Sequence, residues 1–173
     1  MSKLVMLLRH GKSDWESSAR TDFDRPLARR GRRAVPRMAD WAADQGWLPQ
    51  QIFSSPALRA RQTAELFAGR LELDDSLLQL VPELYPGGPG VMAELIDSAS
   101  NDWGCVMLVG HNPSMDSMLY RLCGPGLPFN RAGKLMTTAA IAVIDTKNDS
   151  WTMTNPGDCR LLELMRPKSL PRR

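Results

Sequence analysis

The chain has 173 residues, 22 Lys and Arg against 19 Asp and Glu, a formal charge of +3 and a pI near 9.0. That length favours one domain burying roughly two-thirds of its unfolded surface, expected over residues 1–166 with a frayed tail at 167–173. No apolar run is long enough to cross a bilayer, and the first residues lack the three-part layout of a signal peptide. Neither a membrane protein nor a nucleic-acid binder is expected. Arg29, Arg30, Arg32 and Arg33 are offset by Asp14, Glu16, Asp22 and Asp24 just upstream, and no helix-turn-helix, aromatic RNA platform or Cys/His finger is visible. The cluster reads as a solvated basic helix start, whose modest positive field suits phosphorylated acidic partners. Cys105, Cys123 and Cys159 are odd in number and lack CxxC spacing, so free thiols in a reducing cytoplasm are expected rather than a disulfide framework or a zinc site.

In chain order, a strand is predicted near 3–9, then a long loop over 11–27 and a helix from about Ala28 to Gln45. Val35, Met38 and Ala42 lie along one face of that helix, while Gly31 and Pro36 predict a late start or a kink. A strand near 51–54 precedes a helix near 56–70, with Ala57, Ala60, Ala64, Phe67 and Leu71 as its buried stripe. Ser55 reads as the N-cap of that helix and Pro56 as its first residue. After a strand near 78–81, the glycines and prolines of Pro82 to Gly90 bar regular structure. A helix near 90–100, a strand near 104–109 and a helix near 113–122 follow. The pattern then changes to strands over Thr137–Ile144, Trp151–Thr154 and Arg160–Met165, with turns at 147–149 and 155–158. This alternation predicts a mostly parallel sheet with an antiparallel margin. There are no internal repeats, and the five tryptophans lack the spacing of a stacking platform.

The chain's two histidines both follow apolar strand-like runs. His10 closes Leu4–Leu8 and Arg9; His111 closes Val106–Gly110. Ligands of open α/β sheets bind beyond the carboxyl ends of the strands, so the two imidazoles are placed to share one site. Arg9 precedes the first, and Arg59 falls in the first turn of a helix at the same edge. Taken singly, each arginine is an ordinary solvated charge. Together with two imidazoles and a helix N-terminus they form a donor-rich cationic pocket suited to phosphate. The set is short of metal ligands and an adjacent arginine repels a cation, so no metal and no cofactor is expected.

Leu8-Arg9-His10-Gly11-Lys12-Ser13 resembles the R-H-G signature of the histidine phosphatase (phosphoglycerate mutase-like) superfamily. Ser54 to Ala64 resembles its second motif, Gly110-His111-Asn112-Pro113 its third, and Asp24-Arg25-Pro26-Leu27 with Gly31 the segment opening its first helix. The short length, the Lys-Ser-Asp-Trp continuation and Val81 to Gly88 look most like the SixA-type phosphohistidine phosphatases. The resemblance implies a three-layer α/β/α sandwich with a central, mostly parallel mixed sheet. It implies His10 as a nucleophile forming a labile phosphoramidate, with Arg9, Arg59 and His111 around the phosphoryl oxygens and no metal. The backbone amide of Asn112 is expected to add a donor. Glu83 is a candidate general acid, although it is equally a plain exposed carboxylate. Phosphohistidine needs such an acid least, since its imidazole can depart already protonated. Lys12, Ser13, Arg25 and Lys134 are candidates for the rim, each more ordinarily a surface residue. The expected partner is phosphate or a phosphorylated substrate, in particular a phosphohistidine-containing transfer protein. Two alternatives stay open: a phosphatase or mutase of small phosphorylated metabolites, and a catalytically dead phospho-binding module.

Overall fold

The computed structural model describes residues 1–152 and 156–171. Strands β1 (Leu4–Arg9), β2 (Gln51–Ser54), β3 (Leu78–Leu80), β4 (Cys105–Gly110), β5 (Ile141–Asp145) and β6 (Arg160–Met165) form one sheet in the order β3-β2-β4-β1-β5-β6. The pairs among β1 to β4 are parallel, while β5 and β6 join antiparallel. Helices α1 (Arg29–Asp44) and α2 (Leu58–Arg70) cover one face; α3 (Pro89–Asp97) and α4 (Ser114–Cys123) cover the other.

The apolar runs decide which strands are central. Side chains alternate along a strand, so Val5, Leu7, Val106 and Leu108 enter the core beneath α3 and α4. Met6, Leu8, Met107 and Val109 enter the core beneath α1 and α2. Only a strand covered on both sides needs a continuous apolar run, and β1 and β4 sit side by side in mid-sheet. The expected faces are present: Val35, Met38 and Ala42 of α1, and Ala60, Ala64 and Phe67 of α2, are fully buried. No helix is long and apolar enough to cross a membrane among the described residues.

Several boundaries differ from the sequence reading. Helix α1 begins at Arg29 and continues through Pro36, so its start is not late. Helix α2 begins at Leu58, and Ser55 lies outside it. The Pro82–Gly90 segment is not irregular throughout: Pro82–Leu84 is a 3-10 turn, and Pro89 opens α3, where a missing N–H costs nothing. Residues 137–140 turn rather than extend. Ala139 adopts a φ of 60° and its N–H donates to the carbonyls of both Arg9 and His10. Trp151 and Thr152 are outside any strand; Trp151 is buried with its indole N–H on the Ser100 carbonyl, and the rest of the predicted strand, Met153 and Thr154, lies outside the described residues. The tail expected to fray is docked as far as Pro171. Pro167–Ser169 form a 3-10 turn, Leu170 packs beside α1, and Arg37 donates to the Pro171 carbonyl.

The loop between β1 and α1 is closed at its base. Ser13 bridges Leu27, Asp14 N–H donates to the Pro26 carbonyl, and Ala28 N–H donates to the Lys12 carbonyl. Gly31 allows this closure, since a Cβ there would stand 2.4 Å from Lys12 O and 2.9 Å from Lys12 N. Those neighbours are backbone and cannot rotate away. Gly31→Ala is therefore expected to destabilise the fold by about 2 kcal/mol despite alanine's better helix propensity. Urea titration checks this; an unchanged or raised midpoint would show that α1 moves freely over the loop.

Candidate active site

Register brings the site together. Arg9 of β1 pairs with Gly110 of β4, and Ser54 of β2 pairs with Val109. The residues that follow, His10, His111 and Ser55, therefore emerge from three adjacent strands at one edge. Backbone bonds continue the pairing by one residue, from His10 N–H to Gly110 O at 3.0 Å and from Ser55 N–H to Val109 O at 2.9 Å. The two imidazoles meet with centroids 5.2 Å apart.

His10 is 8% exposed, and its Nδ1 lies 2.7 Å from the Gly11 carbonyl oxygen. A carbonyl only accepts, so Nδ1 carries the hydrogen and Nε2 keeps its lone pair. His111 Nε2 lies 2.8 Å from Ser55 Oγ, which also accepts the Ala57 N–H. With the serine hydroxyl donating to Nε2, His111 Nδ1 bears its hydrogen and is left buried without a partner. Burial, with the neighbouring arginine charges, pushes His10 down to about 3 against the weaker pull of the Gly11 bond, and His111 down to about 4. Both rings are neutral at pH 7.

This has a cost in acid. Unfolded imidazoles take up protons below about 6.5, while the folded ones wait until about 3 and 4. Between those limits the unfolded state binds more protons, so stability falls as pH falls. At pH 5 the loss relative to pH 7.5 is expected to be about 2 kcal/mol for His10 and less for the more exposed His111. Urea titrations at both pH values, compared with the same pair for His10→Ala, isolate this contribution. Equal pH dependence in the two proteins would show that burial does not depress His10 and that it takes up its proton in the fold as readily as in the unfolded chain.

The arginines are held by different devices. Arg9 Nη1 donates to Met136 O at 2.8 Å, and Asn112 Nδ2 donates to the same carbonyl at 3.2 Å. Met136 N–H is in turn held by Asp116 Oδ1 of α4. Arg59, 5% exposed, donates through Nη1 to Asp22 O at 2.6 Å and through Nη2 to Asp22 Oδ2 at 2.9 Å. The same carboxylate takes Arg25 Nη2 at 2.6 Å and the Tyr85 hydroxyl at 3.0 Å. Partial burial pushes the Asp22 carboxyl up, but the Tyr85 hydroxyl with Arg59 and Arg25 hold it below its usual range. Nε of Arg9 and of Arg59, and Nε and Nη1 of Arg25, are buried with no partner. The Asp22 carboxylate covers one end of the Arg59 fork.

Arg9, His10, Arg59 and His111 thus converge as the motifs suggested, with Asn112 beside Arg9. Arg25 and Ser13 are buried rather than exposed at the rim; Arg25 lies with its guanidinium 3.5 Å over the Trp15 ring and Ser13 in the loop bridge. Lys12 and Lys134 do flank a cleft that reaches Arg9. Glu83 is exposed in the 3-10 turn and makes no hydrogen bond or ion pair with the four central residues. The same turn delivers Tyr85 instead, whose ring stands edge-on to His111 at 5.7 Å. Asp22, Ser55, Tyr85 and Asp116 were not singled out from sequence as site residues. Only Ser55 carried a signal, its position at a strand end four residues before Arg59. All three cysteines are free thiols. Among the described residues no group of three or more His, Cys, Asp or Glu is placed to hold a metal.

Replacing Asp22 by Asn should favour anion binding. It keeps the hydrogen-bond acceptor for Arg59 and removes a negative charge from the pocket. Phosphate inhibition is expected to tighten about tenfold, a modest figure because the carboxylate is half exposed and screened. A weaker phosphate inhibition constant would show that Asp22 organises the arginines rather than competing with the ligand.

A parallel sheet edge bearing two neutral imidazoles and convergent guanidiniums defines a phosphate-handling α/β enzyme. Residues 5–85 match the model of the histidine phosphatase superfamily, branch 1. Phosphohistidine phosphatase SixA of Escherichia coli K12 is 31% identical over 142 residues, covering 81% of this chain and 83% of the relative. An uncharacterized chloroplastic protein of Arabidopsis thaliana is 28% identical over 98% of this chain and 80% of its own. The solved structure of a protein histidine phosphatase SixA complexed with tungstate is 28% identical with a TM-score of 0.78, covering 97% of this chain and 99% of that one. The chain belongs to the histidine phosphatase superfamily. Within it the chain is SixA-like, with the phosphoglycerate mutase-like fold, and its class of activity is phosphatase.

Proposed function

We propose that this phosphatase removes the phosphoryl group from phosphohistidine on signalling or phosphotransfer proteins. The observation that carries the chemistry is the state of His10: buried, uncharged, and tied through Nδ1 to the Gly11 carbonyl. Its Nε2 lone pair attacks phosphorus, the bond from phosphorus to the substrate imidazole breaks, and that imidazole leaves with its proton. Water then cleaves the phosphoramidate on His10, releasing phosphate and restoring the neutral ring. Arg9, Arg59 and His111 Nδ1–H surround the three non-bridging oxygens, with the Asn112 amide as a further donor. The phosphoryl group displaces Asp22 from Arg59 as it enters.

Phosphohistidine as substrate is supported by the SixA relative, by the tungstate complex of a SixA structure, and by the place of Glu83. An alkoxide leaving group needs a proton donor, whereas an imidazole does not, and Glu83 stands exposed in its turn. Glu83 as general acid is kept for esters. The deciding assay compares a phosphohistidine-bearing transfer domain with a panel of phosphomonoesters, without added metal, for wild type and Glu83→Gln. Faster release from phosphohistidine, within about threefold in both proteins, is the expected result; an acid that mattered would cost 10²-fold or more. Preference for one small ester, with that activity lost in Glu83→Gln, would move the substrate to the metabolites. Retained phosphate binding with no release from any substrate would make the chain a binding module.

A further inference from the structure

The arginine cluster at the start of α1 is unusual on local grounds. Arg29, Arg30, Arg32 and Arg33 crowd the positive end of the helix, with no acidic residue in its first turn. Arg29 and Arg33, and Arg33 and Arg37, are like charges four residues apart. Nor does the fold neutralise them: Lys12, Arg30, Arg33, Lys134 and Lys168 form no salt bridge with any described residue. Three of the four acidic residues that offset the cluster in sequence are engaged elsewhere: Asp22 pairs with Arg25 and Arg59, Asp24 takes the Thr21 hydroxyl, and Asp14 takes the Glu16 N–H.

These cations line a continuous depression. A cleft of about 400 Å³ starts at Arg9 and is bordered by Lys12, Arg30, Lys134 and Lys168. It shares Arg30, Ala34, Pro167 and Lys168 with a second, wider depression of about 840 Å³ that runs on past Arg33 and Arg37. Neither lining contains an acidic or an aromatic residue. The trough therefore leads from Arg9, at one side of the candidate site, along about two turns of α1.

We propose that this trough docks an acidic surface of the phosphorylated protein substrate, next to the residue whose phosphoryl group enters the pocket. The inference rests on the phosphohistidine-protein reading above and names what lies around the phosphorylated residue. Charge and extent argue for it: a small phosphorylated metabolite fills the region around Arg9, whereas a row of unpaired cations along a helix matches a row of carboxylates. With no aromatic side chain to stack on bases, and with its one large apolar side chain, Leu170, packed beside α1 rather than free to enter a bilayer, the lining suits carboxylates better than nucleic acid or lipid.

The test uses the full chain and the variant Arg30→Glu/Arg33→Glu/Lys168→Glu, none of whose positions touches the reacting phosphoryl group; acidic residues at a helix start leave the fold intact. The probes are a histidine peptide flanked by glutamates, the same peptide with glutamines, and a single-stranded RNA octamer. Binding of the unphosphorylated probes is read by fluorescence anisotropy, and turnover by phosphate release from the phosphohistidine peptides and from phosphoramidate. Wild type is expected to favour the acidic peptide about tenfold or more in both assays at 50 mM NaCl, and to lose the preference at 500 mM. The variant should lose it at both, with phosphoramidate turnover unchanged. Equal handling of the two peptides, or a preference that survives the triple substitution, overturns the docking role. Tighter binding of the RNA overturns it in favour of nucleic acid. If the acidic peptide binds through the trough but neither phosphohistidine peptide is hydrolysed, the substrate reading fails and the trough stands.

Discussion

His10→Ala is expected to reduce turnover of the preferred substrate by at least ~10⁴-fold, because on the proposed mechanism it removes the atom that receives the phosphoryl group. Wild type quenched in acid-free denaturant during turnover should carry labelled phosphate on His10, stable to base and labile to acid; the variant should carry none. On the same mechanism the variant should still bind inorganic phosphate, since Arg9, Arg59 and His111 remain. A general loss of structure makes a different forecast. The wild-type imidazole is neutral through burial, pushed down to about 3, so the alanine protein should be less acid-sensitive than wild type. Residual activity above about 1% of wild type would assign the nucleophile to water or to another group, and His10 to positioning.

Arg59→Ala is expected to lower kcat/KM by about 10³-fold, since on the proposed mechanism it loses two charge-assisted hydrogen bonds to the phosphoryl group. Part of that loss comes from Asp22. Arg59 holds the Asp22 backbone carbonyl at 2.6 Å and its carboxylate at 2.9 Å, and without that partner the carboxylate faces the incoming phosphoryl group as an anion. Adding Asp22→Asn to Arg59→Ala should therefore recover about tenfold. Arg59→Lys should behave more like alanine than like arginine, since an ammonium cannot reproduce the planar fork that spans both acceptors. A loss below tenfold in Arg59→Ala would confine Arg59 to holding the loop through Asp22. Steady-state kinetics of the three single variants and the double variant decide between these outcomes.

The acidic residues upstream of α1 show why charge balance along a sequence is a weak guide. Asp22 lies within ten residues of the arginine cluster and offsets it arithmetically, yet it bonds Arg25, Arg59 and Tyr85 and leaves the cluster unpaired. The loop that carries it folds back through the Ser13–Leu27 bridge, a pairing with no period to reveal it. Glu83 and Tyr85 make the same point at shorter range. Both belong to one turn after β3, and the direction of that turn alone presents the phenol rather than the carboxylate to His111. Ser55 looked like a helix cap by residue type. Two intervening residues before α2 leave its hydroxyl on His111 instead.

What was legible in the residues is what burial period and strand ends dictate. The unbroken apolar runs before His10 and His111 mark strands covered on both faces, and such strands lie at the centre of a parallel sheet, where ligands gather at the carboxyl edge. Arg9, His10, Arg59 and His111 follow from that logic and from the motifs. The register that sets Arg9 beside Gly110, the neutral state of both imidazoles, the carboxylate on Arg59 and the basic trough running from Arg9 were decided only by the tertiary structure. Each depends on distances between residues far apart in the chain, and electrostatic interaction is set by those distances and by burial, neither of which a linear pattern contains.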